Sequence, residues 1–209
     1  KRTSLSEYRT QGRGGVGSRA VATKEDDFTE HLFIAQAHNY LLIFTDQGKV
    51  YWKKVYEIPE GTKTSKGRAV QNLINIEPGD AVRAIINVKN LTDENYINNN
   101  FVILCTEKGI IKKTSLEAYS RPRQGGINSI SIHEGDRLLN ASLTNGNNHI
   151  IIAKTEGKAV HFNEQDVRPM GRTAAGVRAV RLESEADKVI GMVCINREDA
   201  NLLVGSENG

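Results

Sequence analysis

The residues best suited to chemistry in this chain lie in a glycine-rich loop, Gln11-Gly12-Arg13-Gly14-Gly15-Val16-Gly17. Its glycines at 12, 14 and 17 have the G-x-G-x-x-G form of a dinucleotide site, which works only between a strand and a helix. The residues that follow, SRAVATKEDDF, read as a short strand ending in acids, so the nucleotide reading fails. With Arg9 before it, Arg13 inside it and Arg19 after it, the loop can instead lay backbone N–H groups and guanidinium groups against phosphates. A flexible turn between structural units is the other reading, and the residues alone leave both open.

Two further sets of cations recur along the chain. One follows turn-like segments: Lys49, Lys53 and Lys54, then Lys112 and Lys113, then Lys158. The other lies on the approach to a glycine landmark: Arg9 and Arg13, Lys66 and Arg68, Arg121 and Arg123, Arg172 and Arg178. Any one of these is an ordinary surface residue. Recurring in phase, they predict a basic surface that neutralises many phosphates with few groups to read bases, which is duplex binding without sequence specificity.

Other chemistry finds little support. Cys105 and Cys194 sit in apolar runs and lack metal-ligand spacing. Five scattered histidines show no HxxxH or Cys/His cluster, so no metal site is expected. No Ser/His/Asp arrangement can be assembled. Tyr8 and Tyr119 occupy matching repeat positions, as a structural residue would and a unique nucleophile would not. Trp52 alternates with Lys53 and reads as packing between units rather than as a base-stacking platform.

These residues must be positioned by a repeat. Lys1-Arg-Thr-Ser-Leu-Ser-Glu-Tyr8 recurs as Lys112-Lys-Thr-Ser-Leu-Glu-Ala-Tyr119, and the same offset carries Gly14-Gly15 onto Gly125-Gly126. An apolar run, a turn and a basic segment appear as LLIF-TDQG-KVYWKK, FVIL-CTEKG-IIKK and HIIIA-KTEG-KAVHF, and a fourth copy begins as NLLV-GSENG. GSRAV, GRAV, GINSI and GVRAV mark a second landmark after each turn. Each unit reads as four short strands, in the second complete unit near 101–106, 110–116, 127–132 and 138–144. No helix signal exceeds about one turn apart from weak ones near 164–168, and the Asn-rich insertion from Asn90 to Asn100 reads as an exposed loop.

The fold class expected is all-β: a pinwheel or propeller-like array of four-stranded antiparallel blades, incomplete, with no interdomain linker. The units divide as a partial first blade at 1–37, blades at 38–90, 91–148 and 149–200, and the start of another at 201–209. The chain has 209 residues and a net charge of only +3, but charge alternates along it, from +5 over residues 1–24 to −5 over 25–48 and +4 over 49–68. A periodic fold would gather the basic stretches on one surface. The chain starts without Met and reads as a fragment. No apolar run approaches the ~18 residues that span a bilayer and the Lys1-Arg-Thr-Ser start lacks the apolar core of a secretory leader, so neither secretion nor a membrane partner is expected, and a cytoplasmic location is.

At the glycine-rich loop the sequence resembles a known family. QGRGGVG is similar to the Q-R-R-G-G-R-G box that marks the C-terminal domain of the gyrase A protein, and the apolar–TD/TE–G–basic units with GRAV-type landmarks resemble that family over essentially the whole chain. Gln11, Arg13, Gly14, Gly15 and Gly17 match the box, whereas Gly12 and Val16 replace two of its basic positions. The resemblance implies a β-pinwheel whose blades exchange strands, with a basic rim that wraps duplex DNA. It implies a bacterial, nucleoid-associated DNA gyrase whose other parts are the N-terminal core of the same A polypeptide, which carries the cleaving tyrosine, and the gyrase B subunit. Two A and two B polypeptides would introduce negative supercoils, with ATP and Mg bound elsewhere than in this chain. The chain itself would be non-catalytic and hold no cofactor. The alternatives are the corresponding domain of topoisomerase IV and a propeller that binds only proteins; the near-complete box and the in-phase cations speak against them.

Overall fold

The computed structural model describes residues 1–17, 29–197 and 199–205. The first full unit contains β1 (Tyr40–Thr45), β2 (Lys49–Lys54) and β3 (Val82–Val88). After a helix, α1 (Glu94–Asn99), the second contains β4 (Phe101–Thr106), β5 (Ile110–Ser115), β6 (Ile127–Asn128) and β7 (Leu138–Thr144). The third contains β8 (His149–Lys154), β9 (Ala159–Asn163), β10 (Val177–Arg178) and β11 (Val189–Ile195). The protein is all-β, with antiparallel sheets, as expected.

Each unit opens with a hairpin: β1–β2, β4–β5 and β8–β9. The turns close on Gly48, Gly109 and Gly157 at φ +85°, +82° and +73°, a region that L side chains rarely adopt. At Gly109 a Cβ would also stand 2.7 Å from Val180 Cγ1 and 2.9 Å from the Val180 carbonyl oxygen, because the third unit crosses over the turn.

The strand order within the sheets departs from one unit per sheet. The first sheet runs β3-β1-β2-β6 and the second β10-β5-β4-β7. The strand expected at 127–132 is therefore only Ile127–Asn128, and it pairs with Val50 and Lys49 of the preceding unit. Likewise β10 pairs with β5. The second and third units each lend their third strand to the sheet before, which is the exchange that the family resemblance implied. The third sheet, β11-β8-β9, has three strands among the described residues.

The leading strands are apolar throughout because both faces are covered. Leu42, Phe44, Val50 and Trp52 pack with Val102 and Leu104 between the first and second sheets. On the far face of the second sheet Ile103, Cys105 and Ile111 pack with Ile150, Ile152 and Met192 of the third. Burial pushes the Cys105 thiol up to about 12 and the Cys194 thiol up to about 11, so both are inert, as their apolar runs suggested. The last strands, β3, β7 and β11, lie side by side along the inner edges of the sheets.

The Asn-rich insertion is not simply an exposed loop. Asp93 caps α1 by accepting from the Tyr96 N–H (3.1 Å), and Ile97 is buried in the core between the first and second sheets. The landmark GRAV at 67–70 forms no strand and runs into a 3-10 turn at Val70–Asn72. No helix of the described residues is long and apolar enough to cross a membrane.

Candidate nucleic-acid interface

With β3, β7 and β11 on the inner edges, the lent strands β6 and β10 form the opposite, outer edges of their sheets. The chain leading to and through them, and the matching segment of the first unit, carries cations without acids. Residues 61–76, 118–133 and 167–182 hold nine Lys and Arg and not one Asp or Glu, and residues 8–17 add Arg9 and Arg13. Arg9, Arg13, Lys66, Arg68, Arg121, Arg123 and Arg178 are exposed, and Arg172 is half-buried. Arg168 and Arg181, which the sequence reading passed over, are exposed in the same segments. Counting acids in a window of sixteen residues laid across each landmark would have found them.

The glycine-rich loop is a defined structure. The Gln11 side-chain oxygen accepts from the Gly17 N–H (2.9 Å), and the Gly12 carbonyl accepts from the Gly15 N–H (3.1 Å). A Cβ at Gly15 would lie 2.6 Å from that Gln11 oxygen. Gln11 thus closes the loop from inside, and Arg13 projects from it into solvent. Arg19 lies outside the described residues.

The cations that follow the hairpin turns are differently placed. Lys49 pairs with Glu77, which raises its pKa, and Lys158 donates to both oxygens of Glu183 at 2.7 and 2.9 Å. Lys53 stands 3.4 Å from Glu57. Lys54 donates to the His38 carbonyl (2.8 Å), with its ammonium 3.6 Å from the Tyr40 ring centroid. All four remain at least partly exposed.

Lys112 and Lys113 are not on the surface, which corrects their assignment as phosphate contacts. Lys112 is fully buried; its ammonium donates to the carbonyls of Ser129 (2.6 Å) and Arg172. Burial, with the Arg172 guanidinium adding to it, pushes its pKa down to about 8. Lys113 is 3.1 Å from the carboxylate of fully buried Glu164 and donates to the Glu164 carbonyl as well. Register gives the reason. Ile43 pairs with Tyr51 and, one unit on, Leu104 with Lys112. Lys112 and Lys113 therefore match Tyr51 and Trp52 in mid-strand, and the counterparts of Lys53 and Lys54 are Thr114 and Ser115. The apparent recurrence of a lysine pair is a misalignment by two residues.

These mid-strand positions fasten consecutive units. Arg2, the counterpart of Lys113 by the sequence repeat, donates to the Ile58 carbonyl (3.3 Å), and Trp52 donates to the Tyr119 carbonyl (2.9 Å). Trp52 is packing between units, as expected. Tyr119 is buried, with its hydroxyl 2.8 Å from that of Ser129. Lys1 repeats the role of Lys112 by donating to the carbonyls of Lys63 and Ser65 at 2.9 Å each. In the third unit a buried Lys154–Asp187 pair (2.8 Å) stands near the hairpin, and the Lys154 ammonium holds the Asp187 carboxyl down to about 2. Among the described residues no three His, Cys, Asp or Glu side chains gather as a metal would need.

Strand exchange, repeat phase and the outer cations can be set beside known proteins. The family model of the DNA gyrase C-terminal domain, a β-propeller, matches residues 1–36, 39–89, 100–145 and 150–196. The chain belongs to this family. It is 41% identical over 205 residues to the DNA gyrase A protein of Buchnera aphidicola subsp. Baizongia pistaciae and 38% identical to that of Klebsiella oxytoca, covering 98% of this chain and 23% of each relative. It thus spans about a quarter of the length of the curated relatives it matches. Among solved structures, a topoisomerase IV C-terminal domain superposes with TM-score 0.76 at 26% identity, covering 95% of this chain and 58% of that one. A DNA gyrase A C-terminal domain superposes with TM-score 0.67, also at 26% identity, covering 91% and 59%.

Proposed function

We propose that this gyrase-family domain binds duplex DNA without reading its sequence and wraps it along the outer edges of the sheets. The observation that carries this reading is the run of acid-free, arginine-bearing segments at the lent strands β6 and β10, continued by the loop at Arg9 and Arg13. Arginine forks suit phosphate oxygens, and many weak charge-assisted contacts together offset the about 1–6 kcal/mol needed to bend a 20–30 bp duplex. The contact set proposed is Arg9, Arg13, Arg19, Lys66, Arg68, Arg121, Arg123, Arg172 and Arg178, supported by Lys53, Lys54, Lys49 and Lys158 at the hairpins. Gln11, Gly14, Gly15 and Gly17 shape the first loop. Lys112 and Lys113 have no part in it.

Within a whole gyrase A polypeptide the wrap would serve ATP-dependent negative supercoiling in the bacterial cytoplasm. Its partners there would be the N-terminal core and the gyrase B subunit. ATP and Mg belong to those partners. The larger fold overlap with the topoisomerase IV domain favours a second reading, a domain that bends DNA little and acts chiefly in decatenation.

The test is binding to long and short duplexes at several salt concentrations. A wrapping surface predicts tighter binding to the longer duplex and a slope of log K against log[salt] near −0.9 per phosphate neutralised. Salt-insensitive or absent binding would refute the proposal. A steep slope with no length preference would favour the second reading.

A further inference from the structure

One pair of side chains away from the outer edge is placed for chemistry that DNA binding does not use. His149 opens β8 and His161 lies in β9. In the hairpin His149 faces Asn163 and Ile151 faces His161, so the two imidazoles are diagonal neighbours on one face of the sheet. Nδ1 of His149 and Nε2 of His161 are 3.0 Å apart, with ring centroids at 5.0 Å. His161 is exposed and His149 half-buried, so solvent ions reach the pair.

Neutral imidazole nitrogens bind transition metals at about 2.0–2.1 Å. Two nitrogens 3.0 Å apart can share one such ion once the proton between them is displaced and the rings turn their lone pairs towards it. We propose that His149 and His161 form a two-nitrogen site for a divalent transition metal, with Cu2+ held most tightly. Each ring supplies one lone pair. The proton now shared between the nitrogens passes through solvent to the far nitrogen of the donor ring, so both imidazoles stay neutral.

The surroundings suit an open site. Asn163 and Gln165 both donate to the Asn147 side-chain oxygen (3.3 and 3.2 Å), and the Asn163 oxygen accepts from the Gln165 N–H (2.9 Å). These amides are occupied with one another and brace the strand ends beside the pair. Among the described residues no third His, Cys, Asp or Glu joins it, so water completes the coordination.

The chain would be titrated with Cu2+, Ni2+ and Zn2+ by calorimetry, with electron paramagnetic resonance of the Cu2+ form. The expected result is one principal Cu2+ site with a two-nitrogen spectrum. His149→Asn and His161→Asn should each weaken it at least tenfold with unchanged circular dichroism, while His133→Asn should leave it alone. Equal affinity in His161→Asn, or a one-nitrogen spectrum, would overturn the site. Duplex binding by the same variants should not change, so this proposal and the DNA reading stand or fall separately.

Discussion

Replacing Lys113 with Met separates a buried fastening from a surface contact. Lys113 is 4% exposed and Glu164 is fully buried, so the ion pair at 3.1 Å lies away from water. Without the ammonium, Glu164 keeps two donors, the Thr144 hydroxyl (2.8 Å) and the Asn148 N–H (2.7 Å), but has no cation beside it. Breaking one side of a buried pair costs about 3–5 kcal/mol, and the two surviving hydrogen bonds place this case near about 3 kcal/mol. For a domain of this size that lowers Tm by roughly 6–12 °C. Adding Glu164→Gln removes the stranded charge while keeping an acceptor for one donor, and should recover at least half of the loss. Calorimetric melting of the two single variants and the double variant measures this coupling. Duplex affinity, taken well below the lowest transition, should match the parent. The reasoning fails if Lys113→Met melts within 2 °C of the parent, or if the folded variant binds DNA tenfold more weakly.

Other consequences can be tested alongside. Reversing the exposed Arg121, Arg123 and Arg178 to Glu should weaken duplex binding by more than tenfold and flatten the salt slope by roughly 0.9 for each phosphate no longer neutralised, with melting unchanged. Asp187 has a folded pKa of about 2 against an ordinary 3.8, so its stabilising effect is complete above pH 4 and fades as pH falls towards 2. Acid unfolding of Asp187→Asn should lack that component. Gly126 sits at φ +70°, and a Cβ there would stand 2.7 Å from the Tyr51 ring. Gly126→Ala should therefore destabilise by more than about 1 kcal/mol in denaturant melts, loosening β6 from β2.

Much of the architecture is legible in the sequence because it is local. The apolar runs, the turn glycines and the last strands are contiguous signals, and the structure places β4, β5 and β7 at or within one residue of the expected bounds. The exchange of β6 and β10 is not local: nothing in Ile127–Asn128 says which sheet receives it. The lysine pair at 112–113 shows a different failure. Composition recurs there, but register decides which residues face the core, and a shift of two moves the pair from strand end to mid-strand. His149 and His161 are twelve positions apart and look unrelated until the hairpin through Gly157 is folded in register. Within the candidate interface, the arginines before each landmark stand out in the sequence, whereas neutralisation of Lys49 by Glu77 and of Lys158 by Glu183 depends on pairing between distant segments.

The lent strand has a consequence for biosynthesis. β2 ends at Lys54, yet the strand that covers its outer edge begins at Ile127. A ribosome adding about 5–20 residues per second leaves that edge bare for several seconds, and the same delay recurs for β5, which waits for Val177. Bare edges invite pairing with the wrong neighbour, including another nascent chain. Lys49, Lys53 and Lys54 on β2, and the lysines of β5, put charge on the waiting strands, which guards them until the next unit emerges.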